Sequence, residues 1–575
     1  MSSNASERRR LAWRWVGTLI ALVILNGSLT FDNTWPTLAV HWPAELSVEI
    51  AAVLVLLASC NAWLGRSSPR LIATLATLVV LFALGRYGAV TVPALYGREI
   101  NLYWDAPRLG SVVQMLARVA SIWQLAALLG GALLALLLLY LLARWSLRRV
   151  DAVLAHSRAA RLGFGIGGTL LIAAFLVQQL SDHVPRIPRF SIPVSRTYGT
   201  QVARVVDALS SRRVARMLPS PPLHSSFEAL SGRDVLLIFM ESYGSVTFDR
   251  PAFERELRPA RERLAKALEE TGRGVVSAFV VSPTFGGQSV LAHLSLLSGI
   301  EVRDSSRYSL LMTQKRPTLV STFKAAGYRA IAVMPGMQQP WPEGAFYGFD
   351  EIYDAAKLAY RGPPFGWWRI PDQYTLAALD ADELDRHPRK PLFVFLPTVS
   401  THIPFEPVPP FQPDWGRMLS REPYDAAPLK RALAQREDWT AMGESYVSSV
   451  EYFLDVLASY LRKHATDDPV LIVLGDHQPA ANVSGEGAPW DVPVHVISRR
   501  TDILESLQRR GFRSGLTPAR PAIGKMSELA PWLLDAFGGN GADRHDRAVC
   551  PEGASRTQSS VRTLAAPRGR THPTR

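Results

Sequence analysis

Acidic and imidazole side chains follow two apolar stretches of the chain, and their types suit metal-assisted chemistry. Asp476 and His477 come directly after the apolar run 470–475, and Glu241 follows the apolar run 235–240. Such runs are typical of buried parallel strands, and open α/β sheets place their chemistry at the carboxyl ends of those strands. Carboxylate oxygens and imidazole nitrogens are suitable ligands for Mn²⁺, Mg²⁺ or Zn²⁺. The alternative is that Asp476 caps the next loop and His477 is incidental, but a second strand-end acid favours a metal site.

A serine at the start of a predicted helix is the candidate nucleophile. Ser289 follows Gly286 and Gly287 and directly precedes a helical pattern over residues 290–297. At a helix N-terminus its hydroxyl would meet free N–H groups and a positive dipole, which favour an alkoxide and an attached phosphate. A metal held by the strand-end residues would lower the pKa of the hydroxyl further. Two alternatives stay open: Ser289 is only the helix cap, or Thr284, five residues earlier, is the nucleophile.

Length, charge and cysteine content bound the type of protein. The 575 residues exceed one ordinary core, so at least two regions are expected. The formal net charge of +13 comes largely from arginines that flank apolar segments, which indicates anionic lipid as a partner. No stretch combines a basic face with interleaved aromatic residues, so a nucleic-acid partner is not expected. Cys60 lies in an apolar segment and Cys550 in a polar tail, so a structural disulfide is not expected.

Five apolar segments occupy the first third of the chain, and each is long enough to cross a bilayer, which takes roughly twenty residues. The segments are 13–29, 48–64, 71–90, 122–142 and 162–180. Three arginines precede the first segment, which has no convincing cleavage site, and this favours an uncleaved anchor. Lysine and arginine are absent from the loop 31–45 but abundant in 144–161, so the positive-inside rule puts the N-terminus and the second and fourth loops in the cytoplasm. Five crossings then place everything after residue 180 outside.

The sequence after the transmembrane domain, residues 1–180, predicts a linker and then one α/β domain. Residues 181–233 begin proline-rich and continue as a basic amphipathic stretch, either a helix on the membrane surface or an ordinary solvated helix. Strands and helices alternate over 234–538, which predicts a mostly parallel sheet covered on both faces. Residues 539–575 are expected to be disordered. The predicted strands are 235–240, 275–281, 330–334, 392–396, 470–474 and 492–497, and the predicted helices include 254–270, 318–326 and 444–463.

Three short motifs, taken in chain order, resemble those of a known superfamily. The run SVLAHLSLLSG, which begins at Ser289, resembles the sulfatase signature, in which a Cys or Ser nucleophile leads a helix. Glu241 with its apolar strand resembles the first strand of the alkaline phosphatase superfamily, in the branch of lipoteichoic acid synthase and the phosphoglycerol transferases. The Gly-Asp-His sequence that ends at His477 resembles the late metal-binding pair of that superfamily. Five transmembrane helices followed by an outward domain are also similar to lipoteichoic acid synthase.

This resemblance implies a sulfatase-like fold, one divalent metal ion and a substrate pocket. The metal ligands that it implies are Glu241, Ser289, Asp476 and His477. It implies that Ser289 is the nucleophile and that His402 and Trp341 contact the substrate. A neutral His402 would donate to the phosphate or protonate a leaving group. His293 lies one helical turn beyond Ser289 on the same face, where it either supports the nucleophile or packs inside.

Departures from the family pattern bear on the reaction. Sulfatases need a proline two residues after the nucleophile and an arginine four residues after it for conversion to formylglycine, and here those positions are Leu291 and His293. An unmodified Ser289 indicates phosphoryl transfer through a phospho-enzyme rather than sulfate ester hydrolysis. Glu343 stands near the position of the arginine that contacts glycerol phosphate, so phosphoethanolamine competes with phosphoglycerol as the transferred group.

The sequence as a whole predicts a membrane-anchored, metal-dependent transferase. It would move a phosphoglycerol or phosphoethanolamine head group from a phospholipid to an extracytoplasmic glycan or polymer, through a covalent intermediate on Ser289. The predicted location is a bacterial-type inner (cell) membrane, with several crossings and the catalytic domain outside. The alternatives are a membrane-bound hydrolase, either a phosphodiesterase or a sulfatase that acts without formylglycine, and a non-catalytic membrane assembly protein.

Overall fold

A computed structural model of the chain contains a helical bundle followed by an α/β domain. It describes residues 2–106, 110, 122–181, 187–209, 219–339, 341–366, 369–436, 438 and 441–539. The predicted tail beyond residue 539 lies outside the described residues, as do the linker arginines at 212, 213 and 216. The linker and domain boundaries therefore stay predictions.

The α-helices and strands are numbered here in chain order. The described α-helices are α1 Ser2–Thr30, α2 Val48–Leu64, α3 Pro69–Tyr96, α4 Leu102–Asp105, α5 Ile122–His156, α6 Arg158–Leu180, α7 Val194–Leu209, α8 Val246–Asp249, α9 Pro251–Glu270, α10 Ser289–Ser298, α11 Ser305–Met312, α12 Leu319–Ala325, α13 Asp372–Leu379, α14 Trp415–Met418, α15 Ala426–Leu433, α16 Gly443–Lys463, α17 Ala481–Ser484, α18 Thr501–Arg509 and α19 Leu529–Gly538. The described strands are β1 Asp32–Asn33, β2 Val40–His41, β3 Val235–Met240, β4 Gly274–Val281, β5 Arg329–Val333, β6 Glu351–Tyr353, β7 Leu392–Pro397, β8 Val470–Gly475, β9 Asp491–Ser498 and β10 Arg513–Ser514.

Each predicted membrane segment is helical, but among the described helices four rather than five are long and apolar enough to cross a membrane. These four spans are Trp13–Thr30, Pro69–Tyr96, Ile122–His156 and Arg158–Leu180. The fifth helix, α2, has 17 residues between a serine cap and a left-handed Gly65. At about 1.5 Å per residue it is slightly shorter than a hydrocarbon core of about 30 Å. It packs along α6 within the bundle.

The bundle has an apolar interior and an apolar exterior. Leu25, Leu57 and Leu147 are fully buried between the helices, whereas Leu133 and Leu137 of α5 are 59% and 53% exposed. Leucines exposed along a whole helix face indicate contact with hydrocarbon rather than water. The prediction of a loop over 144–161 was wrong for most of its length, because α5 continues to His156. Its Ala, Leu and Arg residues favour helix, so the helix does not stop where the bilayer does.

The α/β domain is built on one eight-stranded sheet. The strand order is β10-β4-β9-β8-β3-β7-β5-β6. The five strands from β8 to β6 are parallel, and β9 runs antiparallel to both β8 and β4. The mostly parallel sheet was predicted, and all six predicted strands are present. Because β9 is antiparallel to both β8 and β4, β4 runs in the same direction as β8. The carboxyl ends of five strands therefore lie at one edge of the sheet: β3, β4, β5, β7 and β8.

Both faces of this sheet are covered, which explains why its central strands read as continuous apolar runs. Alternate residues of β3 belong to two separate cores: Leu236 and Ile238 face one, Leu237 and Phe239 the other. Helices α9 and α16 contribute to the first core, and α10 and α19 to the second. Every residue of β3 and β8 is buried. Parallel strands buried on both faces lose the polar alternation of a surface strand.

The loop before Ser289 lies against the outer end of a membrane helix. A Cβ atom added to Gly97, just after α3, would come within 2.1 Å of the Phe285 ring. A Cβ atom on Gly286 would come within 2.4 Å of the Tyr96 carbonyl oxygen. The candidate nucleophile therefore lies within a few residues of the membrane domain.

Helix α7 of the linker lies beside the same membrane helix. The Tyr198 hydroxyl donates a hydrogen bond to the carbonyl oxygen of Leu81 at 2.7 Å. On the rest of its surface, Val202 and Val206 are 62% and 59% exposed. Exposed valines on a helix held against a membrane helix favour the surface-helix alternative.

Reporter fusions would test the side of the membrane on which the α/β domain lies. We expect a reporter enzyme active only outside the cytoplasm to be active after residue 181 and inactive at the N-terminus, because α2 then counts as a fifth crossing. A fusion at Ser157, between α5 and α6, should be inactive. Activity at both the N-terminus and residue 181 would mean four crossings, and activity at Ser157 would reverse the orientation.

Candidate active site

The chain turns sharply at the carboxyl end of β3, where Glu241 lies. The Glu241 backbone N–H donates to Thr398 Oγ1 at 3.1 Å, which ties the end of β3 to the segment after β7. Ser242 follows with a φ of 56°, a left-handed conformation that ends the strand abruptly. The Glu241 side chain is 7% exposed. A carboxylate is thus held in a buried position at the sheet edge.

Asp476 and His477 are positioned by the end of β8. Asp476 Oδ1 accepts hydrogen bonds from the backbone N–H groups of Ser242 at 2.8 Å and His477 at 2.7 Å. Its other oxygen, Oδ2, is buried, accepts no hydrogen bond from the described residues, and lies 3.4 Å from His477 Nε2. His477 Nδ1–H donates to the Gln478 carbonyl oxygen at 2.7 Å, so Nε2 is directed towards the carboxylates of Glu241 and Asp476. Gly475 has no room for a side chain, because a Cβ atom there would lie 1.8 Å from the Tyr243 carbonyl oxygen.

Ser289 is the first residue of α10 and points at these groups. Its hydroxyl donates to Glu241 Oε2 at 2.9 Å and lies 3.3 Å from His477 Nε2. The cap position of α10 is Gln288, in a left-handed conformation with φ of 64°. The side chain of Ser289 is therefore not the helix cap, and it is partly exposed, as a nucleophile must be.

The rival nucleophile, Thr284, is engaged elsewhere. Its hydroxyl donates to the Gly287 carbonyl oxygen at 2.6 Å, and the residue is only 3% exposed. This bond closes the turn that leads into α10. Thr284 thus acts on the shape of the loop that presents Ser289.

Glu241, Asp476 and His477, together with Ser289, form the cluster referred to below, and the charged groups of this cluster shift one another's pKa. Burial alone would raise the pKa of Glu241. The nearby His402 and His477 have the opposite and larger effect, so the pKa of Glu241 is lowered. Burial and the charge of Glu241 raise the pKa of Asp476 to about 8. Burial disfavours the His477 imidazolium, but Asp476 and Glu241 outweigh it and raise the pKa of His477 to about 9. The cluster concentrates negative charge, which a proton or a cation must neutralise.

The donor set fits a divalent cation. One ligand atom each from Glu241, Asp476 and His477 lies within 4.8 Å of the others, and all three residues are buried. Asp476 Oδ2 accepts no hydrogen bond from the part of the chain that the structure describes, and a buried carboxylate oxygen in that state is costly unless a cation or a proton binds it. Two carboxylates, an imidazole and a hydroxyl suit Mn²⁺, Mg²⁺ or Zn²⁺.

The three predicted substrate residues differ in their surroundings. His402 Nδ1–H donates to the Ile403 carbonyl oxygen at 2.7 Å, and its charge acts on Glu241. His293 packs between Phe239 and Phe395, with ring centroids 4.6 and 5.3 Å away, and its Nε2 has no hydrogen-bond partner.

Burial lowers the pKa of His293 to about 4, so this histidine is a neutral packing residue. Trp341 follows β5 at the same sheet edge, and its ring lies 5.4 Å from that of Tyr347. These contacts favour the packing alternative for His293 and leave the substrate role of Trp341 a prediction.

Sequence reasoning missed two residues that support the site. Thr398 comes directly after β7, as Glu241 comes directly after β3. This position at the end of a strand could have identified Thr398 from the sequence. Asp372 accepts hydrogen bonds from the backbone N–H groups of Val399 and Ser400 at 2.8 and 3.1 Å. It thereby shapes the loop that carries His402, and burial raises its pKa to about 6. No local pattern in the sequence identifies Asp372.

One protein-family model matches most of the α/β domain. The sulfatase family model matches residues 233–496, which contain all four residues of the cluster. This segment is a sulfatase-family domain. Together with the apolar N-terminal helices it confirms the predicted architecture of a helical membrane region followed by a sulfatase-like α/β domain. A search of curated proteins finds no match.

Several solved structures are similar to the sulfatase-family domain. The lipoteichoic acid synthase LtaP from Listeria monocytogenes is 12% identical, with 57% of this chain and 78% of that chain covered and a TM-score of 0.35. The phosphoglycerol transferase GacH from Streptococcus pyogenes, in complex with sn-glycerol-1-phosphate, is 11% identical, with 59% and 91% covered and a TM-score of 0.31. The C-terminal periplasmic domain of phosphoethanolamine transferase EptC from Campylobacter jejuni is 12% identical, with 53% and 89% covered and a TM-score of 0.32.

Proposed function

We propose that the protein transfers a phosphorylated head group from a membrane phospholipid to an extracytoplasmic glycan or polymer, with Ser289 as nucleophile. The observation that carries this proposal is the position of the Ser289 hydroxyl, 2.9 Å from Glu241 Oε2 and 3.3 Å from His477 Nε2. A partly exposed hydroxyl at a helix N-terminus, beside a cluster that fits a cation, is arranged for covalent catalysis.

The reaction consists of two in-line displacements at phosphorus. In the first, Ser289 Oγ loses its proton to water and bonds to the phosphorus of the lipid phosphodiester, while the bond from phosphorus to the diacylglycerol oxygen breaks. The departing oxygen takes a proton, for which the proposed donor is Nε2–H of a protonated His402, whose Nδ1–H is held by the Ile403 carbonyl oxygen. In the second, an acceptor hydroxyl attacks the same phosphorus and gives its proton to Nε2 of His402, while the bond from phosphorus to Ser289 Oγ breaks and Oγ takes a proton from water.

The residues that would hold the metal are Glu241, Asp476, His477 and Ser289. When bound, a divalent cation would lower the pKa of the serine hydroxyl and would stabilise the negative charge that develops on the phosphoryl oxygens. The chain itself contributes the orientation of Ser289 through its hydrogen bond to Glu241 Oε2. The α10 N-terminus directs backbone N–H groups to the same place.

Two features favour a lipid phosphodiester over a sulfate ester as the substrate. The loop before Ser289 touches the outer end of α3, where a lipid confined to the bilayer can reach it. In addition, Leu291 and His293 occupy the positions at which sulfatases need proline and arginine for formylglycine formation. Both side chains are buried in the domain core. An unmodified serine forms a phosphodiester that a second alcohol can attack.

Reconstituted protein would test this function directly. We expect full-length protein, in vesicles that contain radiolabelled phosphatidylethanolamine or phosphatidylglycerol, to release diacylglycerol only when cell-envelope glycan is added. Mass analysis of the glycan should then find the phosphorylated head group. Diacylglycerol release at the same rate without glycan would mean a hydrolase, and no release with either lipid would contradict the proposal.

A further inference from the structure

Two cavities lie on either side of the short β1–β2 hairpin. The first, of about 1430 Å³, is an open cleft lined by the membrane helices α1, α2, α3, α5 and α6 together with the hairpin. The second, of about 710 Å³, lies between the hairpin, the outer end of α3 and the loops after β4 and β8 of the sulfatase-family domain. The second cavity includes Phe285, four residues before Ser289.

The hairpin forms a wall that the two cavities share. Val40 and Trp42 line the first cavity, and His41 between them lines the second. Likewise Phe31 lines the first cavity and Asp32 the second. Successive side chains of an extended strand point to opposite sides, which accounts for the alternation from Val40 to Trp42. On the other strand Asp32 and Asn33 both line the second cavity, so the polar side chains of the hairpin gather there. A molecule with an apolar and a polar part fits such a pair of cavities.

The first cavity is suited to hydrocarbon chains. Its lining includes Leu22, Ile50, Leu54 and Leu139. Its volume exceeds the roughly 300–1,000 Å³ that is typical of pockets for small ligands. Since it lies among membrane-spanning helices, the apolar molecules available to fill it are the acyl chains of lipids.

The second cavity is suited to an organic cation. Asp32 and Glu486 supply carboxylates, and Trp35, Phe285 and Trp490 supply aromatic rings. No lysine or arginine lines it among the described residues, and neither acid is in an ion pair with a described residue. Carboxylates beside aromatic faces are the groups that bind ammonium ions in proteins. A phosphoglycerol head group carries no positive charge, so it makes neither an ion pair nor a cation–π contact with this lining.

A buried amide in the same lining adds an acceptor. Asn33 is 8% exposed, and its Oδ1 has no hydrogen-bond partner among the described residues. Its Nδ2 is occupied, because it donates to the Thr37 carbonyl oxygen at 2.8 Å. An unused buried acceptor is costly, and an ammonium N–H group is a suitable donor for it.

We propose that the two cavities together form the docking site of a phospholipid whose head group carries an ammonium ion. The lipid passes around the edge of the hairpin, where both cavities are open: its acyl chains occupy the cavity among the membrane helices, and its ammonium ion lies against Asp32, Glu486 and the aromatic rings. This inference rests on the proposed function and narrows it, since it selects an aminated donor such as phosphatidylethanolamine over phosphatidylglycerol. The site adjoins the nucleophile loop, where the Gly286 N–H donates to the Gln478 carbonyl oxygen at 3.1 Å.

Lipid binding by full-length Ser289→Ala protein would test the site without turnover. We expect fluorescent phosphatidylethanolamine to bind at least about tenfold more tightly than phosphatidylglycerol with the same acyl chains. The double variant Asp32→Asn/Glu486→Gln should lose this preference, because its cavity no longer carries negative charge. Glu505→Gln, which changes an exposed acid on α18, should keep it. Equal binding of the two lipids, or a double variant that keeps the preference, would overturn the proposal.

The apolar half has its own pair of variants. Ala135→Trp on α5 fills part of the first cavity and should weaken the binding of both lipids by a similar factor. Ala127 lies on the same helix but outside the cavity, so Ala127→Trp should leave the binding of both lipids unchanged. Unchanged binding by Ala135→Trp would remove the acyl half of the site. Because binding is measured without transfer, a protein that prefers the ammonium lipid but transfers no head group would retain this site and lose the proposed function.

Discussion

Replacing Ser289 with alanine is expected to abolish head-group transfer, with a loss of roughly 10⁴–10⁶-fold in rate. The reason is that the serine oxygen forms the covalent bond. The Ser242 hydroxyl also lies beside Glu241, at 3.3 Å from Oε1, but Ser242 is buried and does not replace Ser289. Diacylglycerol release from labelled phospholipid in vesicles measures the effect. Ser289→Thr should retain part of the activity, because the hydroxyl survives.

Thr284 supplies the control for this experiment. Thr284→Val removes the hydrogen bond to the Gly287 carbonyl oxygen, so we expect a moderate loss of activity from a looser turn and normal membrane expression. Peptide mass analysis after a short reaction with labelled lipid should find the phosphorylated head group on Ser289. A label on Thr284, or full turnover by Ser289→Ala, would rule out the mechanism, and formylglycine at position 289 would indicate a sulfatase.

The central strands were predictable because burial on both faces leaves a strong signal. β3 and β8 are unbroken apolar runs, and each ends on the acid that the site uses. Parallel strands that are adjacent in the sheet bring their carboxyl ends together, so the meeting of Glu241 with Asp476 followed from the pattern. The sequence could not reveal that β9 is antiparallel, and it is this strand that returns the Ser289 loop to the same edge.

Short and marginal elements were not predictable. β6 and β10 have three and two residues, too few for any alternation to appear. The end of α5 was misplaced because hydropathy marks the bilayer boundary and not the helix boundary. Asp372 acts through backbone N–H groups far along the chain, and such a contact exists only in the folded state.

The choice between nucleophile and helix cap also required the structure. A serine before a helical pattern predicts a cap by itself, and the sequence could not exclude that role. In the structure the cap position falls one residue earlier, at Gln288, and the left-handed backbone there turns the Ser289 hydroxyl towards Glu241. Because the helix cap is Gln288 and not Ser289, the Ser289 hydroxyl is free to act as the proposed nucleophile.

Removal of any one metal ligand is expected to abolish both bound metal and turnover. Asp476 offers an oxygen without a hydrogen-bond partner, and His477 presents Nε2 because its Nδ1–H is held by the Gln478 carbonyl oxygen. A site with so few ligands has no replacement donor. The loss of metal affinity should therefore exceed the roughly 10–100-fold that loss of an outer partner of a metal ligand costs. Elemental analysis of purified full-length Asp476→Ala, Glu241→Ala and His477→Ala protein measures the metal content.

His402→Ala is the matched control, because His402 acts on Glu241 by its charge but is not among the proposed ligands. We expect this variant to keep its metal and to lose turnover, which separates a substrate histidine from a ligand histidine. Chelator treatment of the unchanged protein should abolish transfer, and added Mn²⁺, Mg²⁺ or Zn²⁺ should restore it to different extents. If His477→Ala kept a full complement of metal, His477 would leave the ligand set, and its role would be limited to a hydrogen bond with Ser289.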